Sequence, residues 1–288
     1  MNESTQRNLL ALNRRFYTEV APAFHETRIP WSPGLLRLLT LLPQQTAQKI
    51  VKQIDGSVAQ EADGNGLQGE SENELQEQPL SVLDVGCGNG RFAHILDSKK
   101  MPFVYWGVDN GSTLLTLASE HTARLENGQA HFAQVDLAEP AWSIHLPNVI
   151  KEVDDRTTLP FDFVLCTATL QHLPGYAMRL QAVREIARMS RGLIILSAWQ
   201  FFESERLKSR VLDWRVAELS AADVESGDAL LPWKQGGYAV RYVHQIDEGE
   251  MACLAKDAGL SIVETFRADG RENLNLYAVC QHEANPKK

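Results

Sequence analysis

No apolar run in the sequence approaches the ~20 residues that a membrane-spanning helix needs. The opening stretch MNESTQRNLLALNRRFY also lacks the compact apolar segment of a secretory signal. A soluble cytoplasmic protein without membrane contact is expected. Cysteine is scarce: Cys87, Cys166, Cys253 and Cys280 are far apart and form no CxxC pair, so neither a disulfide framework nor a zinc site is signalled and no metal is expected. No internal repeat is visible, so nothing indicates a repeat architecture. Basic charge is also short. A net charge of -9 weighs against a nucleic-acid partner, because phosphate binding draws on Lys and Arg. That deficit is local, however. Residues 55–79, DGSVAQEADGNGLQGESENELQEQP, contain acidic side chains but no basic or aromatic ones, and the remainder is close to neutral. Such a segment cannot bury enough apolar surface to offset its ordering entropy and reads as a flexible loop. A near-neutral remainder neither demands nor excludes RNA.

What is present suits one large α/β domain, since 288 residues with 44% hydrophobic content can bury a full core. Leu9, Leu12, Phe16 and Val20 recur at helical spacing and predict a helix over 4–20, which PAFHETRIPWSP should break with its prolines. A second helix is predicted from about Leu35 to Ile54, making 1–54 an N-terminal helical extension. From residue 80 the pattern changes to apolar bursts: LSVLDVG (80–86), FVYWGVD (103–109), AHFAQVD (130–136), FDFVLCTA (161–168) and GLIILSAW (192–199). Helix-like stretches separate most of them, although LAEPAWSIHLPNVIKEVDDRTTLP reads as a long loop or a short helix with loops. Alternation of this kind implies parallel strands buried on both faces and joined by right-handed crossovers, a doubly wound α/β sheet with helices on both faces. LSIVETFRADGRENLNLYAVCQ carries two β-rich runs around a glycine turn, an antiparallel hairpin that should close the sheet. Residues 200–250 then form a cap inserted in a domain spanning 80–281. FFESERLKSRVLDWRVAEL is helical by spacing, and SGDALLPWKQGGYAVRYVHQ is a loop rich in glycine and aromatics.

The stretch SVLDVGCGNGRFAHIL (81–96) occupies the first strand–helix turn, where a doubly wound sheet binds its ligand. Gly86, Gly88 and Gly90 give GxGxG; the dinucleotide fingerprint GxGxxG would need glycine where Arg91 stands, and no Gly-Lys-Ser/Thr follows to make a phosphate loop. Asp84 decides the matter further, because a carboxylate aimed at that pocket repels pyrophosphate and suits an ammonium or sulfonium. Asp109 ends the second strand, where it can accept both hydroxyls of a ribose, and Asp136 ends the third, where it can receive the amine of adenine. Three acids at three successive strand ends describe adenosine with a positively charged tail. Cys87, Asn89, Asn110, Leu137, Cys166 and Thr167 complete the expected cofactor lining.

LDVGCGNG, the acid of GVDN, QVDL and FDFVLCTATLQHL resemble the successive motifs of class I S-adenosylmethionine-dependent methyltransferases over roughly residues 80–281. That resemblance implies a Rossmann-like sheet of seven strands with an antiparallel last strand, and S-adenosyl-L-methionine as cofactor. Further segments, FYTEVAPAFHETRIPW (16–31), RLQAVREIARM (179–189), SAWQ (197–200), GDALLPW (227–233) and RYVHQIDEGEM (241–251), resemble the eukaryotic wobble-uridine carboxymethyl tRNA methyltransferases and their bacterial relatives. Those enzymes esterify 5-carboxymethyluridine in the anticodon and, in eukaryotes, work with a small zinc-binding activator protein. The chain departs from them in having Gln171-His172 for His-His and Ile246-Asp247 where an Arg-containing segment is common.

Methyl transfer from a sulfonium is an in-line displacement, and orientation alone can contribute ~7–11 kcal/mol. A carboxylate acceptor, with a pKa of about 4, needs no base. It needs donors that hold one oxygen near the methyl group, for which Arg28, Arg241 and His244 are candidates. A hydroxyl or amine acceptor would instead need His172 to take its proton. Gln171, Tyr242 and the tryptophans Trp31, Trp199 and Trp233 are candidate substrate contacts, with core or lid packing as the alternative for the tryptophans. Two other functions compete with the tRNA reading: a small-molecule O- or N-methyltransferase, and a non-catalytic S-adenosylmethionine-binding regulator.

Overall fold

Strands with almost unbroken apolar sequence line up at the centre of the molecule, as burial on both faces requires. In the computed structural model, residues 1–28, 31–42, 78–154, 157, 159–270 and 272–283 are described. The acidic loop up to residue 77 and the predicted second helix beyond residue 42 lie outside them. The central elements are β1 Leu80–Val85, β2 Phe103–Asp109, β3 Gly128–Gln134, β4 Phe161–Thr167, β5 Ser190–Trp199, β8 Leu260–Ala268 and β9 Asn275–His282, in the spatial order β3-β2-β1-β4-β5-β9-β8. β1 pairs in parallel with β2 and β4, whereas β9 runs antiparallel to both β5 and β8. The seven-stranded sheet with its antiparallel last strand is thus as the sequence led one to expect. No helix among the described residues is long and apolar enough to cross a membrane.

Period-two alternation along the strands feeds two cores. On one face Leu83, Trp106 and Val164 pack against α5 Trp142–Val153, α6 Tyr176–Arg188 and α8 Glu248–Asp257. On the other, Val82, Tyr105 and Phe163 pack against α2 Pro33–Leu38 and α3 Arg91–Asp97. Side chains of this size each contribute about 1.5–3 kcal/mol when fully buried. α4 Ser112–His121 lies over β2 and β3.

Two local expectations, on α1 and on the cap, need correction, and the link after β3 takes the second of its two expected forms, a helix with loops. α1 runs from Glu3 to Thr27, capped by the Asn2 side chain on Thr5 N at 2.9 Å, and passes through Pro22 instead of stopping. The ring forfeits one backbone hydrogen bond, and packing of Phe16 and Val20 with Trp233, joined by Phe24 beyond the proline, holds the helix on both sides of it. The link after β3 holds the twelve-residue α5, with Pro147 inside it. In the cap, 201–223 is mostly single turns around the short α7 Glu205–Lys208, and the supposed loop is a hairpin, β6 Asp228–Trp233 with β7 Ala239–His244. Its alternation is genuine: Ala229, Leu231 and Val243 face Phe201, while Leu230 and Tyr242 face Leu9 of α1. Gly236 and Gly237, at φ +71° and +148°, make the turn.

Candidate active site

The strands run β3-β2-β1 to one side and β4-β5 to the other, so their sequence order reverses beside β1, and the turn 86–90 leaves β1 at that point. Above it lies a cavity of about 690 Å³, roofed by α1 and walled by the hairpin, well within the ~300–1,000 Å³ of small-molecule sites. Gly86, at φ +75°, has no room for a side chain, since a Cβ would stand 2.2 Å from Thr169 Oγ1. Gly88, at φ +56°, presents bare backbone to the cavity, where an added Cβ would stand 3.7 Å from the Phe24 ring. Gly90 does not line the cavity as expected. Its place is against Phe132 and Ala118, where a Cβ would be 3.0–3.2 Å from them.

Each acid of the cofactor half is held differently. Asp84 is 4% exposed; its Oδ2 accepts the Tyr105 hydroxyl at 2.7 Å, and its buried Oδ1 has no partner. Burial pushes its carboxyl up to about 7, with Tyr105 pulling part of the way back. Asp109 accepts Gly88 N at 3.0 Å on one oxygen and Gly111 N at 2.9 Å on the other. Asp136 lies two residues beyond the end of β3; Oδ1 accepts Ala138 N at 3.0 Å, and Oδ2 pairs with Arg14 of α1. Cys87, Asn89, Asn110, Leu137 and Thr167 line the same cavity. Cys166 does not, because β4 turns it to the opposite face, into the core with Leu83 and Val85.

The other half of the cavity is cationic and aromatic. Arg241 is 6% exposed and stacks over Trp199 at 4.4 Å, with Phe16 and Trp233 at 5.4 and 5.8 Å, and its Nε has no partner. Arg28 lies over Phe24 at 4.8 Å. Burial and the neighbouring Arg91 and Arg241 bring Arg28 down to about 10. Gln171 is fully buried, with Oε1 accepting Trp199 N at 2.8 Å and Nε2 unpartnered. Trp31 stands at the rim, 45% exposed. His172 is the expected base, but its Nδ1 faces the Tyr242 carbonyl at 3.1 Å, which can only accept, so the proton sits on Nδ1. Nε2 therefore accepts the Tyr17 hydroxyl at 2.8 Å. Burial and Arg241 push the imidazole down to about 3, which makes it a weak base.

Two expected substrate contacts are corrected outright. Tyr242 and His244 face away from the cavity: the Tyr242 hydroxyl donates to Asp228 Oδ1 at 2.7 Å, and His244 bridges Asp228 and Glu250 at 2.7 Å each. Burial opposes charge on His244, and the two carboxylates outweigh it and raise its pKa. Glu225, Asp228 and His244 are close enough for a metal, within 4.8 Å of one another. Arg179 already pairs with Glu225 and Glu250, and both His244 nitrogens are engaged, so the cluster is a satisfied ionic network tying the hairpin to α6 and α8.

A methyltransferase-domain family model matches residues 66–265. The chain belongs to this family. Among curated relatives, a methyltransferase of Encephalitozoon cuniculi is 29% identical over 203 residues, covering 69% of this chain and 77% of its own length. Trans-aconitate 2-methyltransferase of Streptomyces avermitilis is 26% identical over 110 residues, or 38% of this chain; the match spans only about a third, 35%, of that enzyme. A solved S-adenosylmethionine-dependent methyltransferase of Methanosarcina mazei shares the fold at a TM-score of 0.54 and 20% identity, over 72% of this chain and 93% of its own.

S-adenosylmethionine is the cofactor of this methyltransferase, and the residues suit it. The orphaned Asp84 Oδ1 calls for a cationic donor, and the bare backbone at Gly88 admits close approach. Since burial holds Asp84 near pH 7, binding of an ammonium must first remove its proton at lower pH. Affinity for S-adenosylhomocysteine is accordingly expected to fall by up to about tenfold per pH unit below 7, and Asp84→Asn to flatten that dependence, as calorimetry across pH 5–8 would read. Sequence reasoning passed over Tyr17, Asn13 and Arg14 on α1, and also Arg91. The first three lie in a segment whose spacing announces only an amphipathic helix.

Proposed function

We propose that this methyltransferase esterifies a carboxylate, and that its acceptor is the 5-carboxymethyl group of a modified wobble uridine in tRNA. One observation carries the first part. Arg28 and Arg241 face the cavity without a carboxylate partner among the described residues, while the neighbouring histidine is too weak a base to deprotonate a hydroxyl or amine. An ionised acceptor needs charge and alignment only. S-adenosylmethionine, when bound, would supply the methyl group to a carboxylate oxygen, the C–S electron pair returning to sulfur with S-adenosylhomocysteine as the leaving group. Arg241, stacked on Trp199, is placed to hold the second oxygen, and Gln171 Nε2 offers a further donor. A cofactor-binding regulator would have no use for this cationic half.

The resemblance of the α1, β5 and hairpin segments to wobble-uridine enzymes supports a tRNA acceptor, as does Trp31 at the rim, where a base can stack. A small carboxylate is the second reading, favoured by the Streptomyces relative's action on trans-aconitate and by the α1 roof. The discriminating experiment incubates the protein with methyl-labelled cofactor and, separately, cellular tRNA whose methyl esters have been removed by mild alkali to leave free carboxymethyl groups, trans-aconitate and a metabolite extract. Label is expected in tRNA and released by mild alkali, as a methyl ester must be. Label confined to small acids selects the second reading, and alkali-stable label overturns carboxylate chemistry altogether. Turnover by the chain alone would remove the activator protein that the resemblance leads one to expect.

A further inference from the structure

Two buried oxygens in the cavity wall are used neither by the fold nor by the groups described above. Asn275 opens β9 opposite Trp199 at the end of β5, so it lines the cavity beside the indole on which Arg241 stacks. Its amide is oriented by a neighbour: Nδ2 donates to Asp269 Oδ2 at 2.9 Å, which a carbonyl oxygen could not do, so the atom left over is Oδ1, buried and with no partner among the described residues. Ser32 precedes α2 with the extended backbone of a cap, φ −91° and ψ 147°, yet its hydroxyl caps nothing, because Asp269 Oδ1 takes Gly34 N at 2.7 Å. Ser32 Oγ is likewise buried, without a partner among the described residues, on a side chain that lines the cavity. Asp269 draws the two together. It also accepts the Tyr277 hydroxyl at 2.6 Å, and Gly34 packs so closely there that a Cβ would stand 2.5 Å from that hydroxyl.

We propose that Asn275 and Ser32 read the imide edge of the acceptor's uracil ring, Asn275 Oδ1 accepting N3–H and the Ser32 hydroxyl donating to O4. The assignment rests on the reading of the acceptor as a carboxymethylated uridine and adds the subsite that selects its base. Arg241, stacked on Trp199, and Gln171 Nε2, whose partner oxygen binds Trp199 N, offer only donors, whereas Asn275 Oδ1 one strand over only accepts. The ligand that fits presents a carboxylate to the first two and an N–H to the third. Neighbouring strands are about 4.8 Å apart, and in 5-carboxymethyluracil four bonds separate the carboxyl carbon from N3, a comparable span of about 5 Å. The C4 carbonyl lies between them on the same edge, where a hydroxyl can donate to it. A fully ionised small acid has no N–H for Asn275 and leaves that oxygen desolvated and unpaired. Cytosine is opposed more strongly, since its N3 is itself an acceptor.

Anticodon stem-loop oligonucleotides carrying 5-carboxymethyluridine or 5-carboxymethylcytidine at the wobble position test it, with kcat/KM for methyl transfer as the readout. The native protein is expected to prefer the uridine oligonucleotide by about ten- to a hundredfold, the penalty for one unpaired buried acceptor. Asn275→Ala should bring that ratio to within about threefold of one by slowing the uridine reaction, with affinity for S-adenosylhomocysteine held within about twofold by calorimetry. Asn275→Thr keeps an acceptor oxygen on a residue suited to a strand and should retain part of the preference, which separates base reading from a folding defect. Ser32→Ala should slow both oligonucleotides alike, because a hydroxyl can donate to O4 or accept from the cytosine amine. Full preference in Asn275→Ala overturns the proposal, as does a loss of cofactor affinity in that variant, which would give the oxygen to the cofactor. Equal kcat/KM of the native protein on the two oligonucleotides overturns the base subsite and leaves the carboxylate reading standing. Methylation of neither removes the tRNA reading, and this subsite with it.

Discussion

Asp109→Ala is expected to lower affinity for S-adenosylhomocysteine by at least about a hundredfold while leaving the melting temperature nearly unchanged. The two effects separate because the carboxylate has two jobs. Each oxygen already accepts one backbone N–H, from Gly88 and from Gly111, and each retains a second lone-pair direction toward the cavity. Two adjacent acceptor oxygens match two adjacent ribose hydroxyls, and hydrogen bonds to a charged group are worth about 1.5–3 kcal/mol apiece. Losing both, together with the tether that holds Gly88 at φ +56°, accounts for a hundredfold or more. Stability changes little because Asp109 is itself held at a cost: burial raises its carboxyl pKa against the pull of the Gly111, Gly88 and Asn110 amides. Deleting it relieves that desolvation as it orphans two amides. Asp109→Asn keeps an acceptor oxygen and should fall between the two. Calorimetry and a thermal melt on the same preparation check the pair of claims, and unchanged affinity in the alanine variant removes the ribose assignment.

The cofactor half of the site was legible because its residues sit at the ends of strands whose apolar runs mark themselves. β1, β2 and β4 begin where the sequence places them and end within a residue of it, so the turn 86–90 and Asp109 fall where strand ends must put a ligand. β3 was displaced by two residues, because GQAHFAQ is an edge strand with a mixed, half-exposed pattern, and Asp136 consequently lies past the strand and within reach of Arg14. The acceptor half was harder to read. Arg241, Tyr242 and His244 are near neighbours in sequence, and a loop would have let all three face one site. In a strand the side chains alternate, so Arg241 faces the cavity while Tyr242 and His244 turn together to Asp228. Pro232 and the pair Gly236-Gly237 disguised that hairpin as a loop, although both fit an isolated two-stranded ribbon with an open edge. Tyr17 and Asn13 carry no local signal. Asn13 binds the backbone N–H and carbonyl of Tyr242 at 2.8 and 3.1 Å, a pairing 229 residues apart that only the folded hairpin creates.

Arg241→Ala should reduce kcat/KM for the methyl acceptor by about two to three orders of magnitude, the range for truncating one member of a buried charge pair. Affinity for S-adenosylhomocysteine should stay within about twofold, because Arg241 belongs to the wall built by α1, β5 and the hairpin and not to the glycine turn. Arg241→Lys should recover little of the loss. A flat guanidinium stacks on Trp199 and offers a fork of donors to a carboxylate, whereas an ammonium does neither. The split between kcat and KM carries the sharper information. As a carboxylate attacks a sulfonium, negative charge on oxygen and positive charge on sulfur cancel, so a cation holding the acceptor binds it more strongly before the transition state than in it. Most of the loss in Arg241→Ala should therefore appear as a raised KM, with kcat changed by less than about tenfold. A variant that loses kcat at unchanged KM would place Arg241 in alignment of the reacting oxygen instead of in recognition of its charge. One with the activity of the native protein would remove the residue from the acceptor site.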